Sequence, residues 1–223
     1  MNPRNHEGSD DGGDDGEYDT ARRQLVERLR RRADVSDRTL AAIEAVPRHE
    51  FVPSANRSAA YADRPLPIGH GQTISAPHMV AIMVDLLDVD RGDRVLEIGT
   101  GCGYHAAVVA EIVGPGNVHS VEYVPELAEA ARDRLTRLGY DVAVHVGDGR
   151  QGRPSEAPFD AAYLTCAAAD GVPDSVVEGV RPGGRVVAPV GESGSQRLVR
   201  LTVRDDGGVD RADHGGVRFV PLQ

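Results

Sequence analysis

Segments typical of buried strands alternate with segments typical of helices through the second half of the chain. The aliphatic stretch RVLEI is followed by the helical pattern YHAAVVAEIV, and NVHSVE is followed by PELAEAARDRLTRL. The alternation continues through VAVHV, FDAAYLT and DSVVEGV, and the chain closes with RVVAPV, SQRLVRLTVR and VRFVPL. This rhythm predicts an α/β fold with a doubly wound, mostly parallel sheet, because parallel strands need a helical crossover between them. The closing stretches have no helix between them and predict an antiparallel C-terminal part.

The N-terminal part of the chain does not follow this alternation. Residues 1–18 are mostly Gly, Asp, Glu and Asn, and we expect a disordered acidic tail there because such a stretch has little to bury. A first helix is predicted over residues 21–33, with Asp19 or Thr20 as its cap, and a second helix after Ser36. We interpret the arginines of the first helix as a solvated face, with an RNA-binding patch as the alternative.

A long proline- and glycine-rich segment, residues 46–75, separates these two helices from a third helical pattern over residues 76–87. The segment has no sustained period of apolar residues. A connection of this length inside a compact domain usually serves function. We therefore expect this segment to form part of a binding site.

The charge balance limits the partners that the chain can bind. It carries 35 acidic and 25 basic residues, for a net charge of −10, and it contains no lysine. A surface of this sign repels phosphate backbones, so we expect no binding to nucleic acid. The composition resembles that of proteins from halophilic archaea, in which carboxylates keep the surface hydrated in salt that also screens their repulsion. A high-GC genome would explain the missing lysine but not the excess of aspartate.

Composition also argues against several other classes of protein. Hydrophobic residues make up 40 % of the chain, yet no apolar run approaches the roughly 20 residues that cross a bilayer. The first residues lack the apolar segment of a secretory signal. The two cysteines, Cys102 and Cys166, indicate neither a disulfide scaffold nor a metal cluster, and we expect no metal site. These features predict a cytoplasmic protein that does not bind membranes.

A glycine-rich turn follows the first strand of the alternating region, in the sequence RVLEIGTGCG. Such turns present backbone N–H groups at a helix N-terminus to an anionic group. The spacing of Gly99, Gly101 and Gly103 departs from the G-x-G-x-x-G of dinucleotide sites, because the third glycine comes one place early. Glu97 at the strand tip would repel a pyrophosphate. It suits a ligand with a cationic group, such as the ammonium or the sulfonium of S-adenosylmethionine.

Two further acidic residues end the next two predicted strands. Glu122 ends the strand after the glycine turn, at the position where folds of this kind bind a ribose diol. NAD-binding and S-adenosylmethionine-binding proteins share this feature. Asp148, in GDG, is placed to meet an adenine amino group. Three acidic strand ends in succession, the first with this turn, favour a class I methyltransferase over an NAD oxidoreductase. The alternative is that all three are ordinary loop residues with glycines for turns.

Further stretches resemble one methyltransferase family. YADRPLPIGHGQTISAPHM, GDGRQGRPSEAPFDAAYLTCAAA, RPGGRVVAPVG and the C-terminal VRFVPL are similar to sequences of the protein-L-isoaspartate O-methyltransferase family. The motif PLPIGxGQTIS is specific, because other methyltransferases share the glycine turn without it. The resemblance runs from about Val46 to Leu222. It implies a Rossmann-like class I methyltransferase fold.

The resemblance implies a repair enzyme. Members of this family transfer a methyl group from S-adenosylmethionine to the free α-carboxylate of L-isoaspartyl residues in damaged proteins. The ester collapses to a succinimide, and hydrolysis of the succinimide yields some normal aspartate. The implied partner is an isoaspartyl protein or peptide, and we expect the enzyme to be a monomer.

Site residues carry over from the family by their place in these motifs. Ser75 corresponds to the active-site residue. The positions that the resemblance implies for S-adenosylmethionine are Gln72, Thr73, Ile74, Ser75, Glu97, Gly99, Thr100, Gly101, Gly103, Glu122, Asp148 and Gly149. The positions that it implies as walls for the substrate main chain are Leu66, Pro67, Ile68, Val187, Ala188 and Val190.

The implied reaction needs little catalytic apparatus. A carboxylate with a pKa near ~4 is ionised at neutral pH, so it needs neither a general base nor a metal. The protein must instead align the reactants and exclude water. The hydroxyl of Ser75 is suited to orienting the carboxylate. Its alternative role is to cap the helix that begins at Ala76-Pro77.

Two other functions stay open at this point. One is a class I methyltransferase for another carboxylate or a small metabolite, and the other is a cofactor-binding protein that no longer catalyses. Neither accounts for PLPIGHGQTIS together with Ser75.

We expect a single methyltransferase domain over residues 19–223. It would comprise N-terminal helices and a substrate lid (19–90), a cofactor-binding core (91–191) and C-terminal strands (192–223).

Overall fold

The computed structural model describes residues 15–32 and 34–223. These residues form the helices α1 (Asp15–Arg32), α2 (Asp37–Ala45), α3 (Pro77–Leu87), α4 (Tyr104–Val113), α5 (Pro125–Arg137) and α6 (Asp174–Glu178). They form the strands β1 (Leu66–Gly69), β2 (Gln72–Ile74), β3 (Val95–Ile98), β4 (Val118–Glu122), β5 (Val142–Val146), β6 (Phe159–Leu164), β7 (Val180–Val190), β8 (Arg197–Val203) and β9 (Val209–Gly216). No helix in this part of the chain has both the length and the apolar character needed to cross a bilayer.

Seven of the strands form one sheet, in the order β5-β4-β3-β6-β7-β8-β9. Neighbours from β5 to β7 in this order are parallel, whereas β8 and β9 are antiparallel to their neighbours. From β3 the chain moves outward to β4 and β5, and it then returns to β6 on the other side of β3. Such a reversal opens a crevice at the carboxyl ends of the central strands, where sheets of this kind bind ligands. The predicted doubly wound α/β fold with an antiparallel C-terminal part is confirmed.

The central strands are apolar because both faces of the sheet are covered. All four residues of β3 are buried, and Glu97 is the polar one among them. α4 is buried along nearly its whole length, since it contacts both α2 and the strands β4 and β5. On the opposite face, a second apolar cluster surrounds Phe159, Leu164 and Val176. These two layers hold the carboxyl ends of β3, β4 and β6 in place.

The first helix starts earlier than the sequence predicts. α1 begins at Asp15, so residues 15–18 are helical rather than part of a disordered tail. The rest of the predicted tail, residues 1–14, lies outside the described residues. Tyr18 accounts for the difference. Its ring stacks on the His49 ring with 4.1 Å between centroids, which gives this turn of the helix a packing contact.

α2 and α3 follow the predicted helices closely. Ser36 caps α2, since its hydroxyl accepts a hydrogen bond from the amide of Thr39 at 3.3 Å. Asp85 of α3 accepts hydrogen bonds from the Ser36 amide and the Thr39 hydroxyl, at 3.0 and 3.1 Å. α3 begins at Pro77, with Ala76 as its N-cap. The start of α2 is thereby attached to α3.

The proline- and glycine-rich segment contains more structure than its composition predicts. It holds two 3-10 turns, Arg48–Phe51 and Ser54–Ala59, followed by an antiparallel hairpin of β1 and β2. The hairpin tip turns sharply, with His70 at a φ of 51°. β2 forms one wall of the crevice described below.

The C-terminal part contains a strand that no sequence pattern predicts. β9 pairs with β8 at the sheet edge with most of its side chains exposed, so VDRADHGG lacks the apolar alternation that identifies a strand. The stretch VRFVPL, expected as the last antiparallel piece, forms no extended strand. The Ala167 amide donates to the Val220 oxygen at 2.7 Å, and the Leu222 amide donates to the Ala167 oxygen at 2.9 Å. These bonds hold the C-terminal segment against the crevice.

Candidate active site

Two adjoining clefts open at the carboxyl ends of the parallel strands. The first has a volume of about 780 Å³ and crosses the ends of β3, β4 and β6, between β2 and the C-terminal segment. The second has a volume of about 1050 Å³ and lies between the start of α3 and residues 216–220. The clefts meet at four residues that line both of them, Thr73, Ser75, Thr165 and Val220.

Most of the positions predicted for S-adenosylmethionine line the first cleft. The structure brings together Gln72, Thr73, Ile74, Ser75, Gly99, Thr100, Gly101, Glu122 and Gly149. It leaves Glu97, Gly103 and Asp148 outside the lining. Nine of the twelve predicted positions therefore lie along one cleft, and three do not.

Two glycines of the first cleft are required by close contacts. At Gly99, φ is 97°, and a Cβ atom would lie 2.3 Å from the hydroxyl oxygen of Thr165. At Gly149, a Cβ atom would lie 2.2 Å from Cγ2 of Ile98. A larger residue at either position would force these neighbours to move. The cleft wall at these two points is therefore backbone, which allows a ligand to approach closely.

Glu122 is held in position by the glycine turn. Its Oε2 accepts a hydrogen bond from the Gly101 amide at 2.8 Å, and its Oε1 accepts one from the Val124 amide at 3.0 Å. A carboxylate offers about four acceptor sites, so two stay free for a ligand. Beside it, Tyr123 is 54 % exposed and also lines the cleft. Tyr123 was not predicted, although an aromatic residue directly after a strand-end acid is a usable signal in a chain with 4 % aromatic residues.

Glu97 lies beneath the first cleft rather than in it. Its side chain is 0 % exposed, Tyr163 donates a hydrogen bond to its Oε1 at 2.8 Å, and its Oε2 shares a hydrogen bond with the hydroxyl of Ser120. Burial raises the pKa of Glu97 to about 8, against the effect of both hydrogen bonds. The predicted contact with a cationic ligand group is therefore absent from the lining, because the packing of β4 and β6 encloses this side chain. Ser120 also shares a hydrogen bond of 2.5 Å with Thr100, which connects Glu97 to the cleft wall.

The other two positions outside the lining make structural contacts. Gly103 is the N-cap of α4, and a Cβ atom there would lie 3.1 Å from Leu135 of α5. The carboxylate of Asp148 accepts hydrogen bonds from the side chain and the amide of Arg150, and these bonds lower its pKa. Gly103 thus allows α4 and α5 to pack closely, and Asp148 is engaged by its neighbour instead of facing the cleft.

A buried histidine at the start of α4 lines the first cleft and was not predicted. His105 is 6 % exposed, and its ring packs on Tyr163 with 4.5 Å between centroids. Neither ring nitrogen has a hydrogen-bond partner among the described residues. Burial lowers the pKa of His105 to about 3, so the ring is neutral at pH 7. A buried polar group without a partner usually meets a ligand or water. The available signal was a histidine within the apolar pattern YHAAVVAEIV.

Ser75 lies where the two clefts meet, between β2 and α3. Its hydroxyl forms no hydrogen bond with any residue that the structure describes. Its alternative role as a helix cap is not realised, because Ala76 occupies the N-cap of α3 and no side chain caps that helix. The hydroxyl is therefore free to bind a ligand in either cleft.

The positions predicted as substrate walls lie elsewhere. Neither cleft is lined by Leu66, Pro67, Ile68, Val187, Ala188 or Val190. Leu66, Val187 and Ala188 are almost fully buried, and their side chains pack in the protein interior. Ile68 supports the glycine turn, since a Cβ atom at Gly101 would lie 3.2 Å from its Cδ1.

Comparison with known proteins places this architecture in one family. Residues 20–223 match the model of the protein-L-isoaspartate(D-aspartate) O-methyltransferase family. The chain belongs to this family. Protein-L-isoaspartate O-methyltransferase 2 of Archaeoglobus fulgidus is 56 % identical over 209 residues, which cover 93 % of this chain and 94 % of that relative. The protein-L-isoaspartate O-methyltransferase of Methanopyrus kandleri is 54 % identical over 213 residues, which cover 94 % of each chain.

Solved structures of protein-L-isoaspartate O-methyltransferases share the fold. One has a TM-score of 0.83 at 32 % identity and is matched over 91 % of this chain and 66 % of that chain. A putative protein-L-isoaspartate O-methyltransferase from Plasmodium falciparum, in complex with S-adenosyl-L-homocysteine, has a TM-score of 0.77 at 25 % identity, with 91 % of this chain and 98 % of that chain covered. The chain therefore spans about two thirds of the first structure and nearly all of the second.

Proposed function

We propose that the chain is an S-adenosylmethionine-dependent protein-L-isoaspartate O-methyltransferase that holds the methyl donor in the first cleft and the damaged peptide in the second. It transfers a methyl group to the free α-carboxylate of L-isoaspartyl residues, and the ester then closes to the succinimide from which repair proceeds. The observation that carries this assignment is the placement of Ser75. Its hydroxyl lies at the junction of the two clefts and has no partner within the described structure.

The residues of the first cleft fit S-adenosylmethionine part by part. Glu122 offers two free acceptor sites to a ribose diol, and the exposed ring of Tyr123 offers a flat apolar surface to adenine. The turn at Gly99 and Gly101 and the N-terminus of α4 suit a carboxylate. His105 adds an unpartnered polar ring to the same wall. Glu97 and Gly103 support this wall from behind, and Asp148 lies beside it, paired with Arg150.

Catalysis in this arrangement depends on orientation and the exclusion of water. S-adenosylmethionine, when bound, supplies a methyl group attached to a positively charged sulfur. The accepting carboxylate has a pKa near ~4 and is already ionised, so the protein removes no proton. The reaction neutralises two opposite charges, that of the carboxylate and that of the sulfonium. Water would stabilise both charged groups before the reaction and would thereby slow methyl transfer. Ser75 donates a hydrogen bond to one carboxylate oxygen and thereby aims the other at the methyl group.

Different parts of the chain supply the binding sites for the methyl donor and for the peptide. Residues 19–90 supply the N-terminal helices and a lid, residues 91–191 the donor-binding core, and residues 192–223 the C-terminal strands and the segment beside both clefts. The lid is the loop PLPIG with the hairpin of β1 and β2. Its base is anchored, because Asp63 before it accepts hydrogen bonds from the amide and the Nδ1 of His78 after it, at 3.0 and 2.8 Å. The lid would close over an extended peptide and exclude water from the reacting groups.

The composition supports a halophilic, cytoplasmic monomer that binds neither nucleic acid nor membranes. Its net charge of −10 disfavours association with phosphate-rich surfaces and destabilises the fold when salt is low. Far-UV circular dichroism across a KCl series tests the halophilic proposal, which requires native signal in concentrated salt and its loss in dilute buffer. Light scattering at the native salt concentration tests the monomer.

The function is tested with labelled S-adenosylmethionine and a matched pair of peptides, one containing L-isoaspartate and the other normal aspartate. Both are incubated with the enzyme in concentrated KCl. Base-labile methyl incorporation confined to the isoaspartyl peptide is the expected result, because a methyl ester hydrolyses in base. Equal labelling of both peptides would point to a general carboxyl methyltransferase, and no labelling of either would reject the function.

A further inference from the structure

The second cleft has a charge pattern unlike that of the chain as a whole. The chain carries a net charge of −10, yet none of the described residues that line this cleft is acidic. Arg218 and His78 contribute basic side chains to the lining. The nearby carboxylate of Asp63 is engaged by the His78 ring. An anionic group on a ligand therefore meets less repulsion here than elsewhere on this acidic protein.

Arg218 is presented to the cleft by a segment whose backbone is fixed on both sides. The Val217 amide donates to the backbone oxygen of Gln196 at 3.0 Å. The side chain of Gln196, which is 5 % exposed, then binds both backbone groups of Phe219. Its Nε2 donates to the Phe219 oxygen at 3.0 Å, and its Oε1 accepts from the Phe219 amide at 2.6 Å. This clamp fixes the direction in which Arg218 leaves the backbone.

The guanidinium of Arg218 has no counterion within the described structure. The residue is exposed and forms no ion pair or side-chain hydrogen bond with any described residue. Of the other arginines in the C-terminal part, Arg197 is paired with Asp213, and Arg204 with Asp206 and Asp210. Arg200 and Arg211 form no ion pair with a described residue, but neither lines the second cleft. An unpaired cation on a fixed backbone, in a cleft that no described acidic residue lines, is suited to bind a carboxylate from a ligand.

We propose that Arg218 is a specificity-determining residue that binds the side-chain carboxylate of an Asp or Glu next to the isoaspartyl residue, so that the enzyme favours damage in acidic sequence. This inference rests on the proposed function. The reacting α-carboxylate must lie at Ser75, where the clefts meet, whereas Arg218 lines the second cleft alone. An extended peptide advances about 3.3 Å per residue, so a residue adjacent to isoaspartate lies farther along the second cleft.

The experiment compares kcat and KM for isoaspartyl peptides that differ at one neighbouring position. Glu, Gln or Lys is placed directly before isoaspartate in one series and directly after it in another. Assays are run at the lowest KCl concentration that keeps the circular dichroism spectrum native, because salt screens exposed charges. The wild type should favour Glu over Gln in at least one series by about two- to fivefold in KM, as expected for an exposed ion pair. The corresponding kcat values should be equal.

Variants assign this preference to one side chain. R218Q should give the Glu and Gln peptides the same KM, R218K should keep the preference for Glu, and R218E should favour the Lys peptide. R211Q is the matched control, because it removes an equal charge from the exposed strand β9 outside the cleft, and it should keep the wild-type preference. The same Glu-to-Gln ratio in wild type and R218Q, or an equal loss in R211Q, would overturn the proposal. In either case, continued methylation of the Gln peptide would leave the proposed function intact, whereas no methylation of any isoaspartyl peptide would reject both.

Discussion

The hydroxyl of Tyr163 donates a hydrogen bond to Oε1 of Glu97 at 2.8 Å, and both side chains are fully buried beneath the glycine turn. Burial raises the pKa of Glu97 to about 8 and that of Tyr163 well above its usual value. Near neutral pH the floor of the first cleft is therefore a protonated acid bonded to a neutral phenol. Ser120 is hydrogen-bonded to both Glu97 and Thr100, and Thr100 lines the cleft.

The raised pKa of Glu97 predicts that the protein loses stability as pH rises. Between pH 4.5 and about 8 the folded protein keeps a proton that the unfolded chain releases, so the contribution of Glu97 to the free energy of unfolding falls over this window. Glu97→Gln keeps a neutral side chain and removes the effect. The loss in unfolding free energy between about pH 6 and about pH 9 should be smaller in the variant by at least about 1 kcal/mol, because one pKa unit corresponds to about 1.4 kcal/mol.

Urea denaturation at constant KCl measures this difference. Glu129→Gln, on the exposed face of α5, is the matched control and should follow the wild type at both pH values. Parallel pH profiles for the wild type and Glu97→Gln would show that Glu97 is ionised in the folded protein.

Ser75→Ala should lower turnover without weakening the binding of the donor. The variant loses one hydrogen bond to a charged group, which corresponds to about 1–3 kcal/mol of transition-state stabilisation. Steady-state kinetics on an isoaspartyl peptide measure kcat, and calorimetry measures the affinity for S-adenosylmethionine. Ser58→Ala, an exposed change in the neighbouring 3-10 turn, is the control. Unchanged turnover in Ser75→Ala would remove this residue from the mechanism.

Glu122→Gln should weaken the binding of S-adenosylmethionine and of its demethylated product to the same extent. The carboxylate holds the Gly101 amide and faces the proposed ribose position, which the two ligands share. Loss of hydrogen bonds to a charged group predicts a rise in both dissociation constants of about tenfold or more. Calorimetry with each ligand checks this, with Glu129→Gln as the control. A loss confined to one of the two ligands would place Glu122 away from the ribose.

His105→Phe should preserve the packing on Tyr163 while removing two unpartnered nitrogens. Donor affinity should fall about two- to tenfold, the range for one or more hydrogen bonds between uncharged groups. The pH dependence of stability should change as well. Burial lowers the pKa of His105 to about 3, so between pH 6.5 and about pH 3 this residue binds a proton in the unfolded chain but not in the folded protein. The free energy of unfolding therefore falls as pH drops through this range.

Calorimetry and urea denaturation between about pH 5 and pH 7 measure these two effects of the His105 change. His214→Phe, in the exposed strand β9, is the control for both. Donor affinity equal to that of the wild type would show that the ring faces the first cleft without binding the ligand.

Sequence patterns predicted the regular parts of this fold closely. The pattern YHAAVVAEIV coincides with α4, and VAVHV coincides with β5. The spacing of apolar residues that identifies a buried helix or strand lies within the element itself, so it can be read from a short stretch of sequence. β9 was missed because an exposed edge strand has no apolar face to reveal it. The helical turn at residues 15–18 was missed because its support, the His49 ring against Tyr18, lies more than thirty residues away in the chain.

The sequence by itself determined the class of fold, the family, the glycine turn and the identity of Ser75, since each is written in a contiguous pattern of residues. The tertiary structure decided which polar side chains reach a ligand. It enclosed Glu97 between β4 and β6, turned Asp148 to Arg150, and brought Arg218 to the cleft of Ser75 through a clamp at Gln196. These outcomes depend on packing between segments far apart in the chain, and a local pattern carries no information about the space that those segments enclose.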